Sequence, residues 1–145
     1  MLLVDTNVLI DAANTLSPYH AVSDAFLQKQ RRRPDAWFST WPIFYEFLRA
    51  TTHPRVMKQP LPVARAWEFV AALLASPGFS VLTPTPRHAD VAGDVFAELP
   101  RLSGNILHDA HTAILMREHG IRRICTRDVD FHRFGFIEVI DPSSL

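Results

Sequence analysis

Short β-type runs alternate with stretches of helical periodicity along almost the whole chain, and this alternation limits the fold more than any other feature. The runs lie at 2–4, 36–39, 79–82, 123–126 and 137–140, and the apolar residues between them recur at spacings of three and four. Consecutive strand–helix–strand units cross over in one hand and build a mostly parallel sheet with helices on its faces. An α/β fold is therefore expected. In such sheets ligands bind beyond the carboxyl ends of the strands, where the strand order reverses.

The turn chemistry agrees with that alternation. Polar Asp5-Thr6-Asn7 ends the first run, and Val8, Leu9, Ala12 and Ala13 follow at helical spacing. Ser17-Pro18 predicts an N-cap with proline at the first helical position, with Ala21, Ala25, Phe26 and Leu27 as the buried stripe. Thr40 can cap a helix that buries Ile43, Phe44, Phe47 and Leu48 and points Glu46 away from them. Pro62 opens a further helix, which Pro77-Gly78 closes before the run at 79–82. Thr85-Pro86 caps a helix expected over 87–99. Another is expected over 106–119, with Leu107, Ala110, Ile114 and Met116 packing inward and Asp109 in its first turn.

At 145 residues, with 48% hydrophobic and 21% charged content, the chain suits one domain spanning 1–145. Lysine and arginine balance aspartate and glutamate at 15 each, so net charge does not announce a polyanion partner and any nucleic-acid site must be local. The lone Cys125 excludes an intramolecular disulfide. Asp5 and Asn7 interrupt the apolar N-terminus, no basic segment precedes it, and no apolar stretch can span a bilayer. A cytoplasmic location without membrane contact is expected.

Acidic residues carry the chemistry. Asp5 and Asp128 follow strands, while Glu46 and Asp109 sit on helices that begin at the same edge of the sheet, so all four should meet in the crevice. Singly, Asp5 and Asp128 read equally well as helix caps and Asp109 as a solvated first-turn acid. Together at one sheet edge they imply a cation, because clustered carboxylates repel. Hard oxygen donors without a thiolate set favour Mg²⁺ or Mn²⁺. Asn7 and Thr126 are placed to orient water at such a site.

These residues also carry a resemblance. Val4-Asp5-Thr6-Asn7-Val8-Leu9-Ile10, Tyr45-Glu46-Phe47-Leu48-Arg49, His108-Asp109-Ala110-His111 and Thr126-Arg127-Asp128-Val129-Asp130-Phe131, in this order and spacing, resemble the PIN domain, and within it the VapC-type toxin ribonucleases of bacterial toxin–antitoxin pairs. The resemblance covers nearly the whole chain. It implies a three-layer sandwich, Mg²⁺ or Mn²⁺ dependence, RNA cleavage, a homodimer and a small protein antitoxin. It also implies that Asp5, Glu46, Asp109 and Asp128 form the site, with Asn7 and Thr126 at its edge. Of the two acids in the last block, Asp128 is favoured over Asp130 because it stands nearer the strand end.

Between residues 22 and 70 basic residues outnumber acidic ones, and Arg49 and Arg127, next to the acids, are the candidates for holding phosphates. The aromatic segment 37–47 offers surface for a symmetric dimer or for the antitoxin. Histidines 108 and 111 flank Asp109 and read as packing or surface residues rather than ligands. Other readings stay open: a housekeeping RNA-processing nuclease of the same family, or a catalytically silent module that binds RNA or antitoxin. A phosphatase with Asp5 as nucleophile fits less well, because Asn7 stands where a second aspartate is wanted.

Overall fold

In the computed structural model, which describes residues 1–145, five parallel strands lie in the order β3-β2-β1-β4-β5. They are β1 (Leu2–Val4), β2 (Trp37–Thr40), β3 (Phe79–Leu82), β4 (Arg123–Cys125) and β5 (Glu138–Ile140). Helices α1 (Thr6–Ala13), α2 (His20–Arg31), α3 (Trp41–Thr51), α4 (Val63–Leu74), α5 (His88–Glu98) and α6 (Ile106–Glu118) flank the sheet. No helix is long and apolar enough to cross a membrane.

The central strand is the most apolar, as a strand covered on both faces must be. Leu2, Leu3 and Val4 are all buried. Leu3 pairs with Phe38 on one side and Ile124 on the other, and Val4 pairs with Cys125. The chain runs outward through β2 and β3, then crosses back to lay β4 against the free side of β1. The order therefore reverses between β1 and β4, and the crevice at their carboxyl ends is the switch point.

Local chemistry explains most boundaries. The Thr40 side chain accepts from the Ile43 amide at 3.2 Å and starts α3 directly at the end of β2. Ser17 does not cap α2. Its hydroxyl donates to Asp11 at 2.6 Å and accepts from the Tyr19 amide, and the helix starts later, at His20. The α2 stripe also differs from expectation: Ala21 and Ala25 are exposed, while Ser23 and Gln30 are buried beside Phe26 and Leu27. Helix α6 is buried on most of its circumference through Ile106, Ala110 and the run 112–116, whereas Leu107, expected to pack inward, faces solvent. Gly78 enters β3 with a positive φ of 72°, a conformation that other residues adopt at a cost.

Candidate active site

Asp5 is the residue that ends β1, and it is buried. Its backbone amide continues the sheet by donating to the Cys125 carbonyl at 3.1 Å. Three donors converge on its carboxylate. The Thr6 amide reaches Oδ1 at 2.7 Å, and Asn7 Nδ2 and Thr126 Oγ1 reach Oδ2 at 2.9 and 2.7 Å. Burial nevertheless outweighs these donors and, with the charge of Asp128, holds the Asp5 pKa above its ordinary value.

Thr126 joins the two sides of the crevice. While donating to Asp5 it accepts from Asn7 Nδ2 at 2.8 Å and from the Asp128 amide at 2.9 Å, so one hydroxyl ties the ends of β1, α1 and β4 together. Asn7 Oδ1 accepts from the Arg127 backbone amide at 3.1 Å. Two residues therefore fix the backbone that leads to Asp128. That residue lies beyond Thr126-Arg127 rather than directly at the strand end. It caps a 3₁₀ turn (Val129–Arg133), accepting from the Asp130 amide at 2.9 Å.

Asp109, Asp128 and Asp130 each turn a carboxylate oxygen to a common point, all within 4.8 Å of one another. Sequence order favoured Asp128 over Asp130; the 3₁₀ turn presents both. Asp109 stands half-buried in the first turn of α6. Burial, followed by the charges of Asp128, Asp5 and Asp130, pushes its pKa up to about 7. Three carboxylates that face a common point, with burial and neighbouring charge holding the Asp109 pKa up, suit a divalent cation.

Glu46 stands apart from this group. It is exposed on α3 and accepts two bonds from the Arg49 guanidinium one turn later, which hold its carboxyl below the usual range; His108 is the next charge near it. Arg49 and Arg127, both expected to receive phosphates, are each held by a carboxylate of the chain. Arg127 pairs with Asp11, donates to Ser23 at 3.1 Å and lies over the Tyr19 ring. His111 packs edge-on to His88 at 5.7 Å between ring centroids, outside the acidic group. Asp11, Ser23 and Tyr19 had no signal in the sequence, since Asp11-Ala12, Tyr19-His20 and Ser23-Asp24 carry no spacing that marks a long-range ion pair.

The profile of the PIN domain family matches residues 2–137. The chain belongs to the PIN domain family. Ribonuclease VapC48 of Mycobacterium tuberculosis is 32% identical to this PIN domain over 144 residues, covering 97% of this chain and 96% of its own. That similarity places the chain among the VapC-type ribonucleases. Two solved structures share its fold at lower identity. VapC20 of Mycobacterium tuberculosis, described as a sarcin–ricin loop cleaving toxin, superposes with a TM-score of 0.66 at 20% identity, covering 96% of this chain and 98% of its own. VapBC-1 of nontypeable Haemophilus influenzae superposes with a TM-score of 0.65 at 15% identity and 98% coverage of both chains.

Proposed function

We propose that this PIN domain is a Mg²⁺- or Mn²⁺-dependent endoribonuclease and the toxin of a type II toxin–antitoxin pair. The observation that carries the reading is the convergence of Asp109, Asp128 and Asp130, with the Asp109 pKa raised to about 7 by burial and then by the charges of its neighbours. Such mutual repulsion is costly in a site without a cation and is relieved by one. Relatives named ribonucleases over the full chain length support RNA as substrate.

Asp109, Asp128 and Asp130 would hold the metal, with Asp5 beneath them adding charge. When bound, Mg²⁺ or Mn²⁺ lowers the pKa of a coordinated water and offsets charge on the attacked phosphodiester. Asn7 and Thr126 keep Asp5 in a single orientation, so the carboxylates need no rearrangement during the reaction. Glu46 and Arg49, exposed on α3, form the rim where an RNA strand would enter. Fold kinship with VapBC-1 supports a protein antitoxin as partner. Trp37, Phe44 and Phe47 of the segment 37–47 are spent in the core, so a homodimer would use its exposed aromatics, Trp41 and Tyr45; this and a cytoplasmic location belong to the same reading.

The test is cleavage of structured cellular RNA by the purified protein with Mg²⁺ or Mn²⁺, alongside Asp5→Asn and Asp109→Asn. We expect metal-dependent cleavage by the wild type alone. Wild-type rates in Asp5→Asn, or no cleavage with either metal, would overturn the proposal.

A further inference from the structure

Arg127 lies between Thr126, which bonds Asp5, and Asp128, yet its guanidinium points the other way, toward the corner between α1 and α2. There it pairs with Asp11, and Nη2 also donates to Ser23 Oγ at 3.1 Å. Its Cζ lies 4.0 Å from the centre of the Tyr19 ring. The pocket answers Nη2 with two acceptors, while Nη1 is buried without a hydrogen-bond partner. Asp11 is itself oriented by the Ser17 hydroxyl at 2.6 Å, Ser23 is fully buried, and the side chains of Arg127 and Asp11 are only 16% and 18% exposed. A half-buried guanidinium with an ion pair, a hydroxyl acceptor and an aromatic face is held far more firmly than a surface arginine.

The segment it anchors is one that electrostatics would otherwise loosen. Asp128 and Asp130 sit on a single 3₁₀ turn and face Asp109, with Asp5 close enough to raise the Asp109 pKa further. Repulsion among these charges pushes the turn away from α6. Phe131 seats this turn in the core, Asn7 and Thr126 bond the backbone leading to it, and the Arg127 side chain adds a tie to α1 and α2. Its guanidinium is turned to Asp11 and Ser23, away from the acids, so it acts through position.

We infer that Arg127 is a positioning residue: clamped by Asp11, Ser23 and Tyr19, it holds the Asp128–Asp130 turn where both carboxylates reach the metal held by Asp109. The inference rests on the nuclease reading above and adds a residue that touches neither metal nor RNA.

The test is Mn²⁺ affinity by calorimetry, with thermal melts run on every protein. Arg127→Met keeps the stem over Tyr19 and removes the clamp; Arg127→Lys keeps the charge but cannot engage Asp11, Ser23 and the ring together; Asp11→Asn removes the ion pair from the other side. Leu73→Ala, in the core of α4, serves as a variant that loses stability by another route. We expect the three clamp variants to bind Mn²⁺ at least about tenfold more weakly, with Arg127→Lys the mildest, and Leu73→Ala to bind as wild type while folded. Wild-type affinity in folded Arg127→Met, or equal weakening in Leu73→Ala, overturns the inference. So does failure of all three clamp variants to fold, which would make the contact a folding determinant only. If the wild type itself binds no Mn²⁺, the nuclease reading falls instead.

Discussion

Thr126 Oγ1 donates to Asp5 Oδ2 at 2.7 Å, joining residues 121 positions apart in the chain. The same hydroxyl accepts from Asn7 and from the Asp128 amide, so its whole hydrogen-bonding capacity is used inside the site. Thr126→Val keeps the shape and removes all three bonds. It should cost about 1–3 kcal/mol at neutral pH, the penalty for an underserved buried carboxylate. Loss of a donor that lowers the Asp5 pKa raises that pKa further. The cost is then largest where Asp5 is ionised and shrinks as acid protonates it. Urea melts at two pH values check this, and Thr126→Ser should restore most of the loss.

The raised pKa of Asp109 gives the metal-free protein a distinctive pH profile. A carboxyl whose folded pKa lies near 7, above its unfolded value near 4, contributes stability that is complete below the unfolded pKa and disappears as pH rises through 7. Melting temperature in chelator should therefore fall between pH 5 and pH 8. Asp109→Asn should flatten that fall, and millimolar Mn²⁺ should cancel it in the wild type only. A flat wild-type profile in chelator would remove the mutual repulsion on which the site depends.

Glu46 and Asp130 are placed differently from what their positions in the sequence suggest. Asp130 faces Asp109 and Asp128, whereas Glu46 is tied to Arg49 on an exposed face. Asp130→Asn should weaken Mn²⁺ binding by more than about tenfold and Glu46→Gln by less. If Glu46→Gln weakens binding more than Asp130→Asn, α3 must rearrange when metal arrives.

Gly78 supplies a control far from the acids. With φ at +72°, an added Cβ would lie 2.3 Å from the Asp35 carbonyl oxygen, while the Gly78 carbonyl accepts from the Trp37 amide at 3.0 Å. Gly78→Ala should cost roughly 2–4 kcal/mol through backbone strain and displacement of the 34–35 turn. Metal affinity of the folded fraction should stay unchanged. Thermal melts and calorimetry read the two effects separately.

Much of this was legible in the residues, and the rest fails for identifiable reasons. Apolar runs at β1 and β3 and the Thr40 cap depend on neighbours in sequence, and the structure has them where the pattern puts them. Ser17 is not the cap because α2 begins only at His20; its hydroxyl donates to Asp11 and accepts from the Tyr19 amide in the turn before the helix. Ser23 and Gln30 lie on the buried side of α2 although they are polar, Ser23 because it answers an arginine 104 residues away, a relation that periodicity cannot carry. The acidic crevice was expected from strand ends alone. That Asp130 joins it and Glu46 stands off depends on the pitch of a 3₁₀ turn and on a local pairing with Arg49.

The placement of β4 beside β1 governs when the site can exist. Asp5 and Asn7 are made first, Asp109 much later, and Thr126, Asp128 and Asp130 later still, yet β1 remains half-partnered until β4 arrives. A nascent chain that stops short of residue 126 carries its first acids without the hydroxyl that orients Asp5 or the turn that faces Asp109. Folding must close that long loop before any carboxylate group assembles, which is slow relative to local helix formation. Until β4 lies against β1, the early and the late acids of the site stay apart, and the whole arrangement waits on the pairing of those two strands.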